Sequence, residues 1–504
     1  MRYTPFVASR IHYMKKKNKK YLENKIIILF FAVFIALTLS GCGAPKETSY
    51  KVDLEIWGLF DDSDAFSKAI QEYKKRNSRV GAITYKKMPV DSYENDLRDA
   101  LAIGKGPDIF LIHHTWLAKH LDKLEPAPLE MGTGNGEKAV FITPRKVQEY
   151  FADVVQKDFV NGSNVYALPL SVDSLALYYN KDILNQAGIS RPPKTWEEFD
   201  SDVQKITKID SFGNIILAGA AMGVSSDRPE NLGGGKINRA TDILTLLMMQ
   251  AGTEMFDSER KMAKFSEFSS SDTGKDKFPG QMALEYYTKF SNLNSSQYTW
   301  NAQMHNSIDA FVEGKTAMTI NYSWLIPRIQ DKAPKLNFGI APVPQNKDQN
   351  NKGINANFAN YWGLAVSKSK IMATDEGQPA TATNEQRITE AWRFLAYLTM
   401  GSEEISPFIG AASSEVAGYN PAEEYAEKQR KPAARRDLIE KQKEDLLLSP
   451  FAQGNLIARS WPEPDNLAVE KIFDEMIDDV VLRNEKSGEV IRQAQNSVNL
   501  LIKR

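Results

Sequence analysis

Val52-Asp53-Leu54-Glu55-Ile56-Trp57 begins a segment in which strand-like and helix-like stretches alternate. Val52, Leu54 and Ile56 alternate with polar residues, which is the period of a β-strand with one buried face. The following stretches predict a helix, a strand, a second helix and a third strand, at Ala65–Lys75, Ala82–Lys86, Tyr93–Ile103 and Asp108–Ile112. This order predicts a parallel sheet covered by helices on both faces, and hence an α/β fold.

The strand ends of this predicted sheet supply the first candidate binding residues. Ligands of such sheets bind in the loops beyond the carboxyl ends of the strands. Trp57, Asp61 and Asp62 follow the first strand, and Trp116 follows the third. Asp61 and Asp62 have a second interpretation, because either side chain can cap the helix that follows.

Length and charge narrow the classes of protein. The chain has 504 residues, which favours two or more lobes, each with its own core. After residue 41 there are 55 basic and 63 acidic residues, so this part carries a net charge of about −8. It is a poor electrostatic match for nucleic acid, and we expect no nucleic-acid partner. One Cys and five His exclude a Cys-ligated zinc site or a disulfide scaffold within one chain.

The N-terminus has the features of an export signal. A basic cluster at residues 15–20 precedes an apolar run from Ile26 to Leu39, which is shorter than the roughly 20 residues of a bilayer span. The run ends in Leu39-Ser40-Gly41-Cys42, which resembles the bacterial lipobox, whose Cys thiol takes a diacylglycerol. We predict a signal peptide at residues 1–41, a lipidated Cys42 with a flexible tether at 42–50, and a protein anchored on the extracytoplasmic face of the membrane. An uncleaved anchor helix is the alternative, and translation starts at Met1 or at Met14.

A series of short motifs occurs along the rest of the chain. Each is weak alone, but their order is specific: Ile56-Trp57, Gly104–Phe110, Tyr166–Pro169, Leu177–Asp182, Pro192–Phe199, Phe311–Met318 and Phe338–Pro344. Behind a lipobox, this series resembles the family 1 extracellular solute-binding proteins of ABC importers, the maltose-binding-protein-like group that carries mostly sugars. The resemblance covers roughly residues 50–502.

The resemblance implies a two-lobed, periplasmic-binding-protein-like fold of type II, in which each lobe is a mainly parallel sheet flanked by helices. The chain would cross between lobes near Pro169–Asp173 and Pro344–Asn360. Lobe 1 would contain residues 51–170 and 358–415, and lobe 2 residues 171–357 and 416–504. A small solute would bind in the cleft between the lobes and be delivered to the membrane subunits of an ABC permease. We expect a monomer.

Sugar binding makes aromatic and polar side chains the candidate ligand contacts. Trp324 matches a position where the family commonly stacks an aromatic ring on sugar, and Trp461 lies in a Pro-rigid loop at a cleft position of the family. Trp362 follows the second crossing, and Asp173 follows the first. Asn321 and Tyr361 are further polar candidates. Core packing is the competing interpretation for every Trp, and we expect Trp196 and Phe199 to pack rather than to bind.

The sequence offers no complete catalytic or metal site. Gly314-Lys315-Thr316 lacks the first Gly of a P-loop, and residues 348–359 lack the ligands of an EF-hand. His113, His114 and His120 occur without the carboxylate pattern of a zinc site. We expect a binding protein without enzyme activity, metal or cofactor, whose ligand is a mono- or oligosaccharide. A peptide or polyamine cargo, or an exported glycoside hydrolase, remains an alternative.

Overall fold

A computed structural model describes residues 50–134, 136–227, 234–257, 259, 261–269, 277–346, 354–372, 382–409 and 419–502. The predicted signal peptide, Cys42 and the tether up to residue 49 lie outside the described residues. Among the residues described, no helix has both the length and the apolar character that crossing a bilayer requires.

The described chain alternates strands and helices. The strands are β1 (Val52–Gly58), β2 (Val80–Lys87), β3 (Ile109–His113), β4 (Leu124–Glu125), β5 (Glu130–Gly132), β6 (Lys138–Val140), β7 (Val160–Asn161), β8 (Asn164–Val165), β9 (Ala167–Leu168), β10 (Asp173–Ser174), β11 (Ala176–Asn180), β12 (Lys208–Ile209), β13 (Ile215–Ala220), β14 (Thr316–Asn321), β15 (Phe338–Pro342), β16 (Asn357–Asn360), β17 (Trp362–Ser367) and β18 (Ala458–Arg459).

The α-helices are α1 (Ser67–Arg76), α2 (Tyr93–Ala102), α3 (Leu117–His120), α4 (Pro144–Tyr150), α5 (Asp153–Phe159), α6 (Lys181–Gln186), α7 (Trp196–Ile206), α8 (Ala240–Gln250), α9 (Pro279–Thr288), α10 (Ser307–Val312), α11 (Leu325–Lys332), α12 (Asn384–Thr399), α13 (Ser402–Ile409), α14 (Pro421–Gln429), α15 (Arg436–Gln442), α16 (Ser449–Leu456), α17 (Asn466–Val481) and α18 (Ser487–Ile502). Short 3₁₀ helices lie at Ser63–Ala65, Leu121–Lys123 and Lys289–Ser291.

Two larger sheets organise the chain, and the predicted α/β fold is confirmed. The first sheet has the order β2-β1-β3-β17-β4, with β9 also paired to β17. The second has the order β12-β13-β14-β11-β15. The strand directions are mixed rather than mainly parallel: β17 runs antiparallel to β3, and β11 runs antiparallel to both of its neighbours. Motifs and periodicity reveal strands, but they do not reveal the direction in which a returning strand pairs.

A third, small sheet lies where the chain passes between the two larger ones. Its order is β10-β16-β18, with β10 antiparallel and β18 parallel to β16. The chain leaves the first sheet after β9, passes through β10 into the second, and returns through β16 into β17. Strand β18 of this small sheet was not among the strands predicted from the sequence.

The charged stretch 421–447 contains the helix pair α14 and α15. Its side chains are not all solvated, since Tyr425 and Lys431 both donate to the buried carboxylate of Asp61, at 2.9 and 2.6 Å. Arg436 also donates to Asp153 at 2.6 Å. These contacts join residues 421–436 to the region of the first sheet, whereas the predicted boundary at residue 416 assigned them to lobe 2. Long-range ion pairs of this kind leave no local signal in the sequence.

Candidate functional site

A cavity lies beside the crossing strands β16 and β18. Its walls are formed by residues from the regions around both of the larger sheets. The end of β3, helix α8, strand β16, the loop after β18 and helix α17 contribute His113, His114, Thr241, Asp242, Thr245, Phe358, Asn360, Trp461, Glu463, Asn466, Val469, Glu470 and Phe473. Elements that are distant in the sequence therefore meet at one concave site.

The apolar wall of the cavity is centred on Trp461. Its side chain is only 3% exposed, and its ring stacks on Phe473 with centroids 5.9 Å apart and planes 23° apart. Trp461 belongs to the hydrophobic core packed on the second sheet, so it is both a core residue and a wall residue. Its indole Nε1 has no hydrogen-bond partner within the described chain. A buried N–H group without a partner is uncommon and is a donor available to a ligand.

Two adjacent histidines at the end of β3 supply a second donor. His113 bonds through its two ring nitrogens to Thr115 Oγ1 at 2.8 Å and Asn360 Oδ1 at 3.2 Å. His114 Nδ1 accepts from the backbone N–H of Tyr361 at 3.4 Å, which places its proton on Nε2. That Nε2 has no partner among the described residues. Burial lowers the pKa of His113 to about 4 and the pKa of His114 well below its usual range, so both rings are neutral at pH 7.

Three carboxyl groups line the same cavity. Asp242 accepts from Tyr322 Oη at 2.7 Å and lies 4.0 Å from an Arg239 guanidinium nitrogen. Burial raises the pKa of Asp242. For Glu463 and Glu470, burial acts together with the neighbouring carboxylates. The pKa of Glu463 is raised well above its usual range, and the pKa of Glu470 is raised to about 7. None of the three was among the residues predicted from the sequence. The described residues contain no group of three or more His, Cys, Asp or Glu side chains arranged to hold a metal ion.

The predicted tryptophans of the first sheet divide into two groups. Trp362 packs edge-on against Trp116, with centroids 5.0 Å apart, and against His113 at 5.1 Å. Trp116 donates from Nε1 to Asn466 Oδ1 at 3.0 Å, so this pair contacts α17 and lies next to the cavity. Trp57 lies elsewhere: it is 6% exposed, donates to Glu55 at 2.9 Å and carries Lys86 over its ring. Trp57 is a packing residue of the first sheet.

The side chains of the two aspartates after β1 make ion pairs and do not cap a helix. Asp61 is buried against Tyr425 and Lys431, and Asp62 pairs on the surface with Lys87 at 2.9 Å. Asp62 precedes the 3₁₀ helix Ser63–Ala65, yet its side chain makes no capping hydrogen bond. Neither residue lines the cavity.

Neither Tyr361 nor Asn321 lines the cavity. The Tyr361 ring stacks on His114 with centroids 5.2 Å apart and planes 7° apart, and its hydroxyl donates to Asp158 at 2.8 Å. Tyr361 is therefore a positioning residue for the wall residue His114. Asn321 is fully buried and donates to the side-chain oxygen of Asn238 at 2.9 Å, outside the cavity wall.

Trp324 and Asp173 also lie outside the cavity wall. Trp324 is 37% exposed immediately before α11. Asp173, in the crossing strand β10, accepts from the backbone N–H and the hydroxyl of Ser323, the latter at 2.7 Å. Asp173 thus connects a crossing strand to the loop between β14 and α11.

Asp173→Asn is expected to remove a pH-dependent loss of stability. Burial raises the pKa of Asp173 to about 7, so the folded protein holds this proton more tightly than the unfolded chain does. The stabilisation is complete below pH 4 and is lost as the pH rises through 7. Asn imitates the protonated form, so at pH 8 the variant should be more stable than the parent by at least about 1.4 kcal/mol, the equivalent of one pKa unit. Unfolding curves from pH 4 to 8 test this, and parallel pH dependence in both proteins would contradict it.

Comparison with known proteins identifies the family. The sequence model described as "Bacterial extracellular solute-binding protein" matches residues 58–399. A binding protein of Brucella abortus strain 2308 is 24% identical over 282 residues, which is 55% of this chain and 59% of that protein. The chain thus spans less than two thirds of that relative. The maltotriose-binding protein of Pyrococcus abyssi is 22% identical over 366 residues, 72% of this chain and 64% of the relative.

Solved structures agree in fold. The cyclic α-maltosyl-1,6-maltose binding protein of Arthrobacter globiformis matches with a TM-score of 0.63 at 19% identity, covering 90% of this chain and 99% of that one. The sugar-binding protein MalE of Xanthomonas citri matches with a TM-score of 0.61 at 16% identity, covering 90% and 98%. At this identity the likeness establishes the fold alone. The family model spans more than half of the sequence, and it confirms the resemblance drawn from the motif series: the chain belongs to the bacterial extracellular solute-binding protein family.

Proposed function

We propose that this protein captures a carbohydrate outside the cytoplasmic membrane and delivers it to an ABC permease. The observation that carries the proposal is the combination of groups in one cavity: the neutral N–H donors of His114 and Trp461, and the carboxyl acceptors of Asp242, Glu463 and Glu470. Sugar hydroxyls both donate and accept hydrogen bonds, and aromatic faces match the apolar faces of a sugar ring.

Several relatives are named for carbohydrate ligands, which favours a carbohydrate here as well. Besides the maltotriose-binding protein, relatives include the maltodextrin-binding protein MdxE and a galactooligosaccharide-binding protein of Bacillus subtilis. The family consists of binding proteins, and we propose that this chain likewise releases its ligand unchanged. Anchoring through a lipid on Cys42, action as a monomer and docking to permease subunits belong to the same proposal.

Closure of the two regions around the ligand is the proposed mechanism. His114 lies beyond β3 of the first sheet, whereas Asp242 and Glu470 lie on helices α8 and α17. The bond from Trp116 to Asn466 and the ion pair of Lys119 with Asp465, at 3.3 Å, already join the first region to α17. A ligand that touches both sides binds the closed arrangement more tightly and shifts the population toward it. A permease would then recognise the closed shape.

A carbohydrate ligand is expected to raise the thermal midpoint of the full-length chain in mild detergent. At a hundredfold excess over the dissociation constant, binding to the folded state adds about 2.7 kcal/mol. The panel contains mono- and oligosaccharides, including maltotriose, together with peptides and polyamines as controls. Recovery of the intact sugar after incubation separates binding from hydrolysis. The proposal is contradicted if no carbohydrate in the panel raises the thermal midpoint, or if the sugar is cleaved.

A further inference from the structure

The charges around the cavity do not balance. Asp242, Glu463 and Glu470 line it, and among the described wall residues there is no Lys or Arg. Arg239 reaches Asp242 from outside the wall at 4.0 Å and lies over the ring of Tyr322. In the described part of the chain, neither Glu463 nor Glu470 has a Lys or Arg nitrogen within ion-pair distance. One guanidinium therefore faces three acidic groups.

Two further side chains point to a polar ligand independently of this acidic cluster. His114 Nε2 and Trp461 Nε1 are donors in the cavity wall without protein partners, on residues that are 4% and 3% exposed. Leaving such donors unsatisfied costs about 1–3 kcal/mol each, which a hydroxyl oxygen of a ligand would recover. These donors are neutral, so they do not offset the carboxylates.

The charge of the ligand follows from this imbalance. A buried carboxylate without a counter-charge is costly by several kcal/mol, and burial raises the pKa of all three groups. A neutral sugar leaves that situation unchanged, and an acidic or phosphorylated sugar makes it worse. An ammonium group supplies the missing positive charge and forms charge-assisted hydrogen bonds.

We propose that the ligand is a carbohydrate with a protonated amine, held with its ammonium beside Asp242, Glu463 and Glu470 and with its hydroxyl oxygens on His114 and Trp461. This inference rests on the proposed function and specifies its substrate class. It places one positive charge among the three carboxyl groups and uses both unpartnered donors.

Sugars that differ at a single position test the inference. For the gluco, galacto and manno series, the 2-amino, 2-acetamido and 2-hydroxy forms are titrated as mono- and disaccharides into the full-length chain in mild detergent at pH 6.5, beside maltotriose. We expect at least one amino sugar to bind ten times more tightly than both of its neutral counterparts. Equal or tighter binding of the neutral forms, or binding of maltotriose alone, would overturn the inference and leave the proposed function intact. If no carbohydrate binds, whether or not spermidine does, both the inference and the proposed function are overturned.

Variants of Glu470 and Glu463 test whether these carboxyl groups cause the preference for an amino sugar. Glu470→Gln should reduce the advantage of the amino sugar at least tenfold and leave the binding of its hydroxy counterpart within threefold. Gln is neutral and nearly the same size, so unfolding is not expected, and the thermal midpoint without ligand checks this. Glu475→Gln, on the exposed face of the same helix, is the matched control and should bind like the parent protein. An amino-sugar preference that survives in both Glu470→Gln and Glu463→Gln would overturn the assignment.

Discussion

Replacing Arg387 by Met is expected to lower the free energy of unfolding by about 3–5 kcal/mol, the usual effect of breaking a buried ion pair. The Arg387 side chain is fully buried in α12 and lies 3.3 Å from the Asp108 carboxylate, at the start of β3. It also donates to the hydroxyl and the carbonyl oxygen of Ser367, at 3.0 and 2.6 Å. Met fills much of the space but leaves Asp108 and the end of β17 without these bonds.

The second partner of Asp108 sets the size of this effect. Lys370 remains at 2.8 Å from the other carboxylate oxygen, which also accepts from the backbone N–H of Glu55 in β1. We therefore expect a destabilised but folded protein, measured by urea unfolding with tryptophan fluorescence. Arg145→Met is the control, because Arg145 is 86% exposed and should change stability by less than about 0.5 kcal/mol. A loss below 1 kcal/mol for Arg387→Met would show that Lys370 alone satisfies Asp108.

Local signals in the sequence predicted local structure well. The helix expected at Tyr93–Ile103 is observed at Tyr93–Ala102, and Thr195 caps α7 by accepting from Glu198 N at 3.2 Å. Gly188 ends α6 with a φ of 68°, which is the left-handed geometry that favours glycine. Trp196 and Phe199 are buried as expected. Each of these features depends on residues within a few positions of one another.

Long-range partners were not predictable in this way. Asp108 begins the third predicted strand, but its role depends on Arg387, 279 residues further along the chain. Asp61 is similar, since its partners Tyr425 and Lys431 lie more than 360 residues away. A single sequence contains no record of such pairs.

The candidate site was predicted only in part for the same reason. Trp461 was predicted from its Pro-rigid loop at a cleft position of the family, and the structure places it in the cavity wall. His114 falls in the segment 113–116 at the end of the third predicted strand, but nothing local in the sequence predicts a neutral N–H donor there. Asp242 and Glu470 are separated by more than 200 residues, and the crossing strands bring their helices together. The sequence holds 64 acidic residues, and nothing local distinguishes these from the others.

Trp461→Ala is expected to lower the free energy of unfolding by about 3–5 kcal/mol and to abolish stabilisation by ligand. The ring is in contact with three phenylalanines: it stacks on Phe473 and meets Phe256 and Phe265 with centroids 5.7 and 6.4 Å apart. Its removal opens a hole between the core of the second sheet and the cavity. Because both effects arise together, this variant alone does not separate packing from binding.

Trp461→Phe separates them, because it keeps an aromatic ring in the core while it removes the unpartnered indole N–H together with part of the bicyclic ring. We expect a modest loss of stability and a loss of ligand affinity of about two- to tenfold, since a neutral hydrogen bond contributes about 0.5–1.5 kcal/mol. Trp196→Phe is the matched control: Trp196 belongs to the same core, but its Nε1 donates to Gln250 at 2.6 Å and it does not line the cavity. That control should lose stability and keep its affinity in calorimetric titration with the sugar found in the panel. If Trp461→Phe binds as tightly as the parent protein, the indole N–H makes no contact with the ligand, and Trp461 acts only through its ring.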